Sequence, residues 1–281
     1  MITVVTDSTA YFSEAEAGRL GIVSIPTKYK VSSHSLFESY RDKNGEYINL
    51  INYSKNNAET RQISLSVFKS TFEQIIRNGN KVVCILISSR LSGSYYNACM
   101  AASDYDEGDI VIIDSLLTAG GLKLLTEKAC LMINEKYFSK DNCDLKKIAN
   151  EIESIRNNIG MIFSVESMEP LKKSGRLGFV RQSIGTALNI RPVLKCDKGT
   201  IVSVGTSRGE RDRLTKMIAH IPDKVEKIIV NCNDDMKDIY RVKSIIKERF
   251  IDIPIEYNSY GPVLYVHIGK GAMALSWIVS V

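Results

Sequence analysis

The sequence has no apolar run long enough to cross a membrane. Its longest strand-like runs, such as Val82–Ile87, are far shorter than the ~20 residues that a membrane-spanning helix requires. The first residues also lack the basic segment and the cleavage site of a secretory signal peptide. These absences predict a cytoplasmic protein with no stable membrane insertion.

Patterns typical of metal sites and disulfides are missing as well. The six cysteines include no pair at CxxC spacing, and none of the three histidines lies near a cysteine in sequence. A chain of 281 residues, 44% of them hydrophobic, can bury enough apolar surface to fold without a disulfide or a metal. We therefore expect reduced, mostly buried thiols, no metal and no cofactor.

Signatures of nucleotide and nucleic-acid binding are also absent. The chain contains neither the G-x-x-x-x-G-K-[ST] loop nor the G-x-G-x-x-G loop, both of which hold nucleotide phosphates. The net charge is only +5, and most opposite charges alternate along the chain. Nucleic-acid binders usually carry a clustered basic patch, so we expect no nucleic-acid partner.

The G-x-S-x-G nucleophile elbow of serine hydrolases is incomplete. Arg90 and Leu91 precede Ser92, so the first glycine of the motif is absent. Ser92 and His267 nevertheless supply a hydroxyl and an imidazole. A serine hydrolase or acyltransferase that uses this pair is therefore kept as an alternative function.

The order of apolar segments predicts a two-domain α/β fold. Buried strands at Ile2–Thr6, Lys81–Ser88 and Asp109–Asp114 alternate with helical segments, which is typical of a mainly parallel open sheet flanked by helices. We expect this N-terminal α/β domain to span residues 1–157.

Residues 158–281 predict a second α/β domain with a mixed sheet. The strand-like segments Arg191–Cys196 and Thr200–Thr206 flank Asp197-Lys198-Gly199, a typical hairpin turn. Val263–His267 and Ala274–Ser280 are the last two predicted strands.

Polar residues follow several strands of the first sheet. Asp7-Ser8-Thr9, Ser88–Ser94 and Asp114-Ser115 each come after a predicted strand, where open α/β sheets bind ligands. Ser92-Gly93-Ser94 also opens a helix, whose free N–H groups favour an anion. Ordinary helix caps and turns explain the same residues.

Six segments, in order along the chain, resemble motifs of one family. They are VTDSTAYF, ISSRLSGSYYNA, VIIDSLLTAGG, LKKSGRLG, NIRPVL and GPVLYVHIGKGAMAL. Each string alone is weakly specific, but their order over almost the whole chain resembles that of the DegV family of bacterial lipid-binding proteins.

The resemblance implies a carrier and not an enzyme. Proteins of this family bind one long-chain fatty acid in a tunnel and present it to a fatty acid kinase catalytic protein, which phosphorylates the carboxylate to an acyl phosphate. The fatty acid would lie in the C-terminal domain, with its head group near the domain junction. Apolar residues of the second half are candidates for the tunnel lining, and plain core packing explains them at least as well; they are Ile162, Phe163, Ile184, Leu188 and Val193.

The same resemblance points to five ligand-binding residues. Thr60 matches the threonine of a T-S-Q-P-S motif that hydrogen-bonds the carboxylate, and Ser92 and Gly93 match an L-S-G motif. His267 matches the histidine of an H-x-G-x-G motif, and Arg176 matches the arginine of a G-G-R motif. The resemblance implies that these side chains hold the head group.

One further residue is implied in partner docking, and three depart from the family pattern. Arg208 matches a basic position that the resemblance associates with the kinase. Arg61 and Ile63 replace a serine and a proline of the T-S-Q-P-S motif, and Lys270 replaces a proline near His267. These replacements raise the question of whether the head-group site accepts more negative charge or a different ligand.

Overall fold

The computed structural model describes residues 1–54, 57–137, 144–177, 190–233 and 236–280. These residues contain thirteen β-strands. In chain order they are β1 (Ile2–Asp7), β2 (Ile22–Ile25), β3 (Thr27–Val31), β4 (His34–Glu38), β5 (Ala58–Arg61), β6 (Lys81–Leu86), β7 (Ile110–Asp114), β8 (Ile159–Ser164), β9 (Ile190–Asp197), β10 (Thr200–Arg208), β11 (Val225–Cys232), β12 (Ile255–Asn258) and β13 (Met273–Val279).

Ten α-helices lie between or beside these strands in the described residues. In chain order they are α1 (Glu14–Leu20), α2 (Tyr47–Tyr53), α3 (Leu65–Arg77), α4 (Ser94–Ala102), α5 (Ala119–Tyr137), α6 (Leu145–Arg156), α7 (Glu169–Ser174), α8 (Gly209–Ala219), α9 (Met236–Arg249) and α10 (Pro262–Ile268).

The first half of the chain forms the predicted parallel sheet. Its strand order is β2-β1-β6-β7, and all neighbouring strands are parallel. In β6, Val83 and Ile85 pack in the cluster that contains α5 and α6, whereas Val82, Cys84 and Leu86 pack with α3 and α4. Both faces of β6 are therefore buried, which explains its continuous apolar sequence.

The second half forms the predicted mixed sheet. Its strand order is β10-β9-β8-β13-β11-β12, and β11 and β12 are its parallel pair. The β9–β10 hairpin turns at Lys198 and Gly199, which both have positive φ, as expected for a tight hairpin turn. The two sheets confirm the α/β fold class, and the division into domains 1–157 and 158–281 stays a prediction.

A third, antiparallel sheet of three strands was not predicted. Its order is β4-β3-β5, and it contains Thr60 on β5 opposite Tyr29 on β3. The strands have only four or five residues each, and β4 is mostly exposed. Such short segments give weak alternation, so sequence periodicity does not reveal them.

The predicted strand Val263–His267 is wrong, because these residues lie in helix α10. Pro262 occupies the first turn of the helix, where its missing N–H costs nothing. Gly269, with a φ of 71°, ends it. A short apolar run does not distinguish a strand from a buried helix by periodicity alone.

Helix α5 joins the two larger sheets. It packs against β1 and β6 on one side and against β8, β11 and β13 on the other. Its Lys123 side chain is fully buried, and its Nζ lies 2.9 Å from Glu16 and also pairs with Glu256. Burial alone would raise the pKa of Glu256, but Lys123 and Lys227 outweigh it and lower the pKa to about 2. This ion-pair cluster lies at the junction between the sheets and links α5 to α1 and β12.

Candidate functional site

A cavity of about 360 Å³ lies where the three sheets and helix α10 meet. This volume falls within the range of ~300–1,000 Å³ that small-molecule sites occupy. Seven polar residues of its wall come from the segments around Thr60, Ser92, Arg176 and His267, namely Thr60, Arg61, Gln62, Ser92, Ser94, Arg176 and His267, and Thr9, Thr27, Thr118 and Asn231 are further polar residues of the lining. Apolar residues elsewhere in the wall include Ile87, Leu91, Met161, Phe163, Leu171, Ile201, Val263, Leu264, Ile268, Ala272 and Ala274.

Thr60 and His267 form a hydrogen-bonded pair in the cavity wall. Thr60 Oγ1 lies 2.8 Å from His267 Nε2. Strand β5 carries Thr60, and the last turn of α10 carries His267, so the pair joins the three-stranded sheet to this helix. The contact links residues that are 207 positions apart in sequence.

The imidazole of His267 is neutral at physiological pH. Burial of the ring, with a smaller contribution from the Arg176 charge, lowers the pKa of His267 from 6.5 to about 4. A neutral imidazole has one N–H donor and one acceptor nitrogen. Nδ1 of His267 is buried and has no hydrogen-bond partner among the residues that the structure describes.

The Thr60–His267 pair has one spare hydrogen-bond donor in either histidine tautomer. If Nε2–H donates to Thr60, the Thr60 hydroxyl keeps its own proton for a ligand. If the Thr60 hydroxyl donates to Nε2, the proton of the ring is on Nδ1, which then supplies the spare donor. Because Nδ1 is buried, the tautomer that serves a ligand in the cavity is the first, in which the Thr60 hydroxyl can donate to an anionic oxygen while the pair carries no charge.

The loop after β6 lies on the same wall of the cavity. Ser92 Oγ lies 3.0 Å from Ser94 Oγ, and Ser94 Oγ accepts from the main-chain N–H of Ile63 at 3.0 Å. Asn97 on α4 donates to the Ile63 carbonyl at 2.7 Å. These bonds fix the segment that follows Thr60 to the start of α4.

Gly93 lies against the Gln62 side chain, and its backbone conformation does not require a glycine. A Cβ atom at this position would lie 1.9 Å from Gln62 Oε1, whereas the φ of −71° is accessible to any residue. The glycine therefore allows the Gln62 side chain to approach the loop. Since Gln62 is exposed and flexible, its side chain can move aside for a small substituent.

Arg176 supplies the positive charge at the polar part of the wall. Its Nε donates to the Leu91 carbonyl at 3.4 Å, and its Nη1 donates to the Ser174 carbonyl. Its charge contributes to the low pKa of His267. The structure thus brings all five predicted ligand-binding residues to one cavity: Thr60, Ser92, Gly93, Arg176 and His267.

The predicted tunnel residues have three different outcomes. Phe163 lines the cavity. Ile162 and Val193 instead pack on the other face of the mixed sheet, in the cluster that contains α8. Neighbouring strand residues point to opposite faces, so Ile162 and Phe163 could not both line it. Ile184 and Leu188 lie outside the described residues.

The hydrogen bonds do not favour nucleophilic catalysis by Ser92. An activated serine needs a base within hydrogen-bond reach. His267 Nε2 bonds to Thr60, and the Ser92 hydroxyl bonds to Ser94.

In the described part of the chain, no group of three or more His, Cys, Asp or Glu side chains could hold a metal ion.

A second, outer cavity of about 580 Å³ shares part of the wall of the first. Thr60, Arg176 and His267 line both cavities. Lys173 and Lys270 line only the outer one. The polar part of the inner cavity is therefore next to a space from which another molecule can approach.

A family model described as "Uncharacterised protein, DegV family" matches residues 1–280. This chain belongs to the DegV family. The match confirms the resemblance of the six sequence motifs.

Relatives and solved structures agree with the DegV assignment over nearly the full length. A DegV domain-containing protein of Clostridium acetobutylicum is 29% identical over 286 residues, which cover 99% of this chain and 98% of that protein. A DegV lipid binding protein from Thermotoga maritima has a TM-score of 0.86 at 20% identity and covers 99% of this chain and 98% of its own. A DegV family protein from Thermus thermophilus, for which fatty acid binding is described, has a TM-score of 0.83 at 23% identity and covers 99% of each chain. At these identities the solved structures show a shared fold.

The structure accommodates Ile63 where the DegV motif has a proline. The Ile63 side chain is buried, and its N–H makes the hydrogen bond to Ser94. A proline has no N–H and could not make this bond. In this chain, hydrogen bonds to α4 therefore hold the backbone that a proline ring would otherwise restrict.

The other two departures from the DegV motifs add exposed charge. Arg61 lines the inner cavity and pairs with Glu59 at 2.6 Å, with its side chain 61% exposed. Lys270 lies between Gly269 and Gly271, which both have positive φ, and it lines the outer cavity. Arg61 shares its cavity, and Lys270 the outer one, with Thr60, Arg176 and His267.

Arg208 lies away from these contacts, just before α8. It is exposed, and its main-chain N–H donates to Asp212 at 2.7 Å. Its role in docking a kinase stays a prediction.

As for membrane insertion, none of the helices in the described ranges is both long and apolar enough to span a bilayer.

Sequence reasoning missed Glu38, Gln62 and Asn97, which support the site. Asn97 lies within ISSRLSGSYYNA, and Gln62 is the glutamine of the T-S-Q-P-S counterpart, so both lie within the motifs of the resemblance, in which no role was assigned to them. Glu38 is the last residue of β4, a strand that the sequence pattern did not reveal. Its only signal is an acidic residue directly after the apolar pair Leu36-Phe37.

Proposed function

We propose that this protein binds one long-chain fatty acid and presents its carboxylate to a separate kinase, which forms the acyl phosphate. The observation that carries the proposal is the uncharged Thr60–His267 pair in the wall of a largely apolar cavity. An amphiphile with a long apolar tail and a small anionic head matches both parts of this wall. The described relatives that bind lipid or fatty acid support the same ligand class.

The apolar tail supplies most of the binding free energy in this proposal. Burying one CH2 group contributes about 0.8 kcal/mol, so roughly fourteen methylenes contribute on the order of 11 kcal/mol before the costs of binding. A hydrogen bond to a charged group contributes only about 1.5–3 kcal/mol. The head-group residues therefore determine orientation more than affinity.

The head-group residues have distinct roles. The spare donor of the Thr60–His267 pair and the Ser92 hydroxyl donate to the carboxylate oxygens, and Gly93 leaves room beside them. Arg176 balances the negative charge. Because the histidine is neutral, the pair does not form a strong ion pair with the carboxylate and leaves it reactive toward a phosphoryl donor.

The kinase approaches through the outer cavity, which shares Thr60, Arg176 and His267 with the inner one. The exposed Arg208 contributes to docking. The protein then carries the acyl phosphate in the cytoplasm and is itself not the catalyst. No cofactor is needed for this role.

Native mass spectrometry of the purified protein tests the ligand class. We expect an excess mass equal to one long-chain fatty acid. A protein that carries no such mass, and that binds no fatty acid after delipidation, contradicts the proposal.

Phosphate transfer from ATP in the presence of the kinase tests presentation. We expect Ser92→Ala to lower the yield of acyl phosphate, because a head-group donor is lost. Arg208→Ala should lower the same yield without changing fatty acid affinity. If both variants match the wild-type yield, their proposed roles are wrong.

A further inference from the structure

The carboxyl group of Glu38 is fully buried and makes hydrogen bonds on both oxygens. The Ser8 hydroxyl donates to Oε1 at 2.9 Å. The main-chain N–H of Val263 donates to Oε2 at 2.9 Å, and the Tyr11 hydroxyl lies 3.4 Å from the same oxygen. Buried polar groups in folded proteins are hydrogen-bonded, and the Glu38 carboxyl meets this requirement on both oxygens.

The partners of Glu38 belong to separate parts of the fold. Ser8 follows β1 of the parallel sheet, and Glu38 ends β4 of the three-stranded sheet. Val263 lies in the first turn of α10, one helical turn before His267. Helix α10 therefore contacts the three-stranded sheet at both ends, through Glu38 at its start and through Thr60 near its end.

Gly261 allows the close approach of the Glu38 carboxyl. A Cβ atom at this position would lie 2.4 Å from Glu38 Oε2 and 2.9 Å from a ring carbon of Tyr11. Its φ of −90° is accessible to any residue, so backbone conformation does not require a glycine here. The absence of a side chain at Gly261 thus leaves the space that the Glu38 carboxyl occupies.

We propose that Glu38 is a positioning residue for the head-group site: it fixes the first turn of α10 to the three-stranded sheet and so holds His267 against Thr60. The consequence for ligand affinity rests on the proposed function, whereas the consequence for His267 does not. The titratable groups that surround the carboxyl are Asp7, Tyr11, Tyr29 and Tyr47. None of them replaces the bond to Val263.

The test compares Glu38→Ala with Glu38→Gln. A glutamine keeps an oxygen that accepts from the Val263 N–H and an amide that donates to the Ser8 hydroxyl oxygen, whereas an alanine keeps neither. With only three histidines in the chain, ¹⁵N NMR of the imidazoles resolves His267 directly. We expect Glu38→Ala to shift the His267 signals and raise its titration midpoint, and Glu38→Gln to leave both near the wild-type values.

Fatty acid affinity provides the second measurement. Loss of one head-group hydrogen bond should weaken binding about tenfold in Glu38→Ala and leave Glu38→Gln close to the wild type. In Gly261→Ala the added methyl group displaces the Glu38 carboxyl. This variant should therefore show the same changes as Glu38→Ala. Ile148→Ala, in the fully buried face of α6, is the control for general loss of stability and should move neither measurement.

Three outcomes overturn the proposal. The first is an unchanged His267 spectrum in Glu38→Ala or, if that variant does not fold, in Gly261→Ala. The second is an equal change in Ile148→Ala, and the third is a Glu38→Gln variant that behaves like the alanine variant. If the wild type binds no fatty acid at all, the proposed function fails, and the NMR measurement still decides the role of Glu38.

Discussion

Burial of Glu38 predicts a specific pH dependence of stability. Burial raises the pKa of Glu38 from 4.5 to about 8, with a further contribution from the nearby Asp7 charge, and hydrogen bonds from Val263 and Ser8 oppose the rise. Between these two pH values, the unfolded chain has released the Glu38 proton and the folded chain still holds it. The folded state then binds more protons, so raising the pH lowers the free energy of unfolding.

The size of this effect follows from the gap between the two pKa values. Each pH unit between about 4.5 and 8 costs about 1.4 kcal/mol, which gives about 5 kcal/mol over the whole range. Above pH 8 both states have lost the proton, and the cost stays constant. Glu38→Gln does not ionise, so the variant should gain stability relative to the wild type as the pH rises to 8.

Urea unfolding of both proteins at several pH values from 5 to 9 measures this difference. Subtracting the wild-type free energy from that of the variant cancels the titration of all other groups. The same substitution at the exposed Glu46 supplies a matched control, because solvent reaches the Glu46 carboxyl in the folded and in the unfolded chain. If the difference in unfolding free energy between Glu38→Gln and the wild type does not vary with pH, the pKa of Glu38 is not raised in the folded protein.

Three other substitutions test the Thr60 hydroxyl, the apolar part of the cavity and the buried Lys123 ion pairs. Thr60→Val keeps the side-chain shape but removes the hydroxyl, so fatty acid affinity measured by titration calorimetry should fall about tenfold; an unchanged affinity contradicts the role of Thr60. Ala274→Phe fills the apolar part of the cavity and should shorten the acyl chain that co-purifies, as measured by mass spectrometry; an unchanged chain length places the tail elsewhere. Lys123→Met leaves Glu16 and Glu256 without their buried partner and should lower the unfolding free energy by about 3–5 kcal/mol in chemical denaturation, whereas a loss below 1 kcal/mol shows that solvent already screens these charges.

The larger sheets were predictable because their signals are local and strong. The continuous apolar run of β6 indicates a strand buried on both faces, and Lys198-Gly199 indicates a tight hairpin. The three-stranded sheet and α10 were not predictable in the same way. The strands of that sheet are too short to show a clear period, and α10 is a seven-residue apolar segment that fits a strand equally well.

The position of Ser92–Ser94 after a strand already indicated one wall of the candidate site, whereas Thr60 and His267 were predictable only through the motif resemblance. Thr60 and His267 are 207 positions apart, and no local pattern relates them. Their contact depends on the three-stranded sheet and on α10, the two elements that periodicity missed or misassigned. The low pKa of His267 and the burial of Glu38 arise from packing in three dimensions, so sequence alone does not give them.

We propose that a fatty acid carboxylate lies at the Thr60–His267 pair. NMR of the delipidated protein with a ¹³C-carboxyl-labelled long-chain fatty acid measures this directly. We expect one bound carboxyl resonance, distinct from that of free fatty acid, which changes position in Thr60→Val. A protein that gives no bound resonance, or one whose resonance is the same in Thr60→Val, would contradict it.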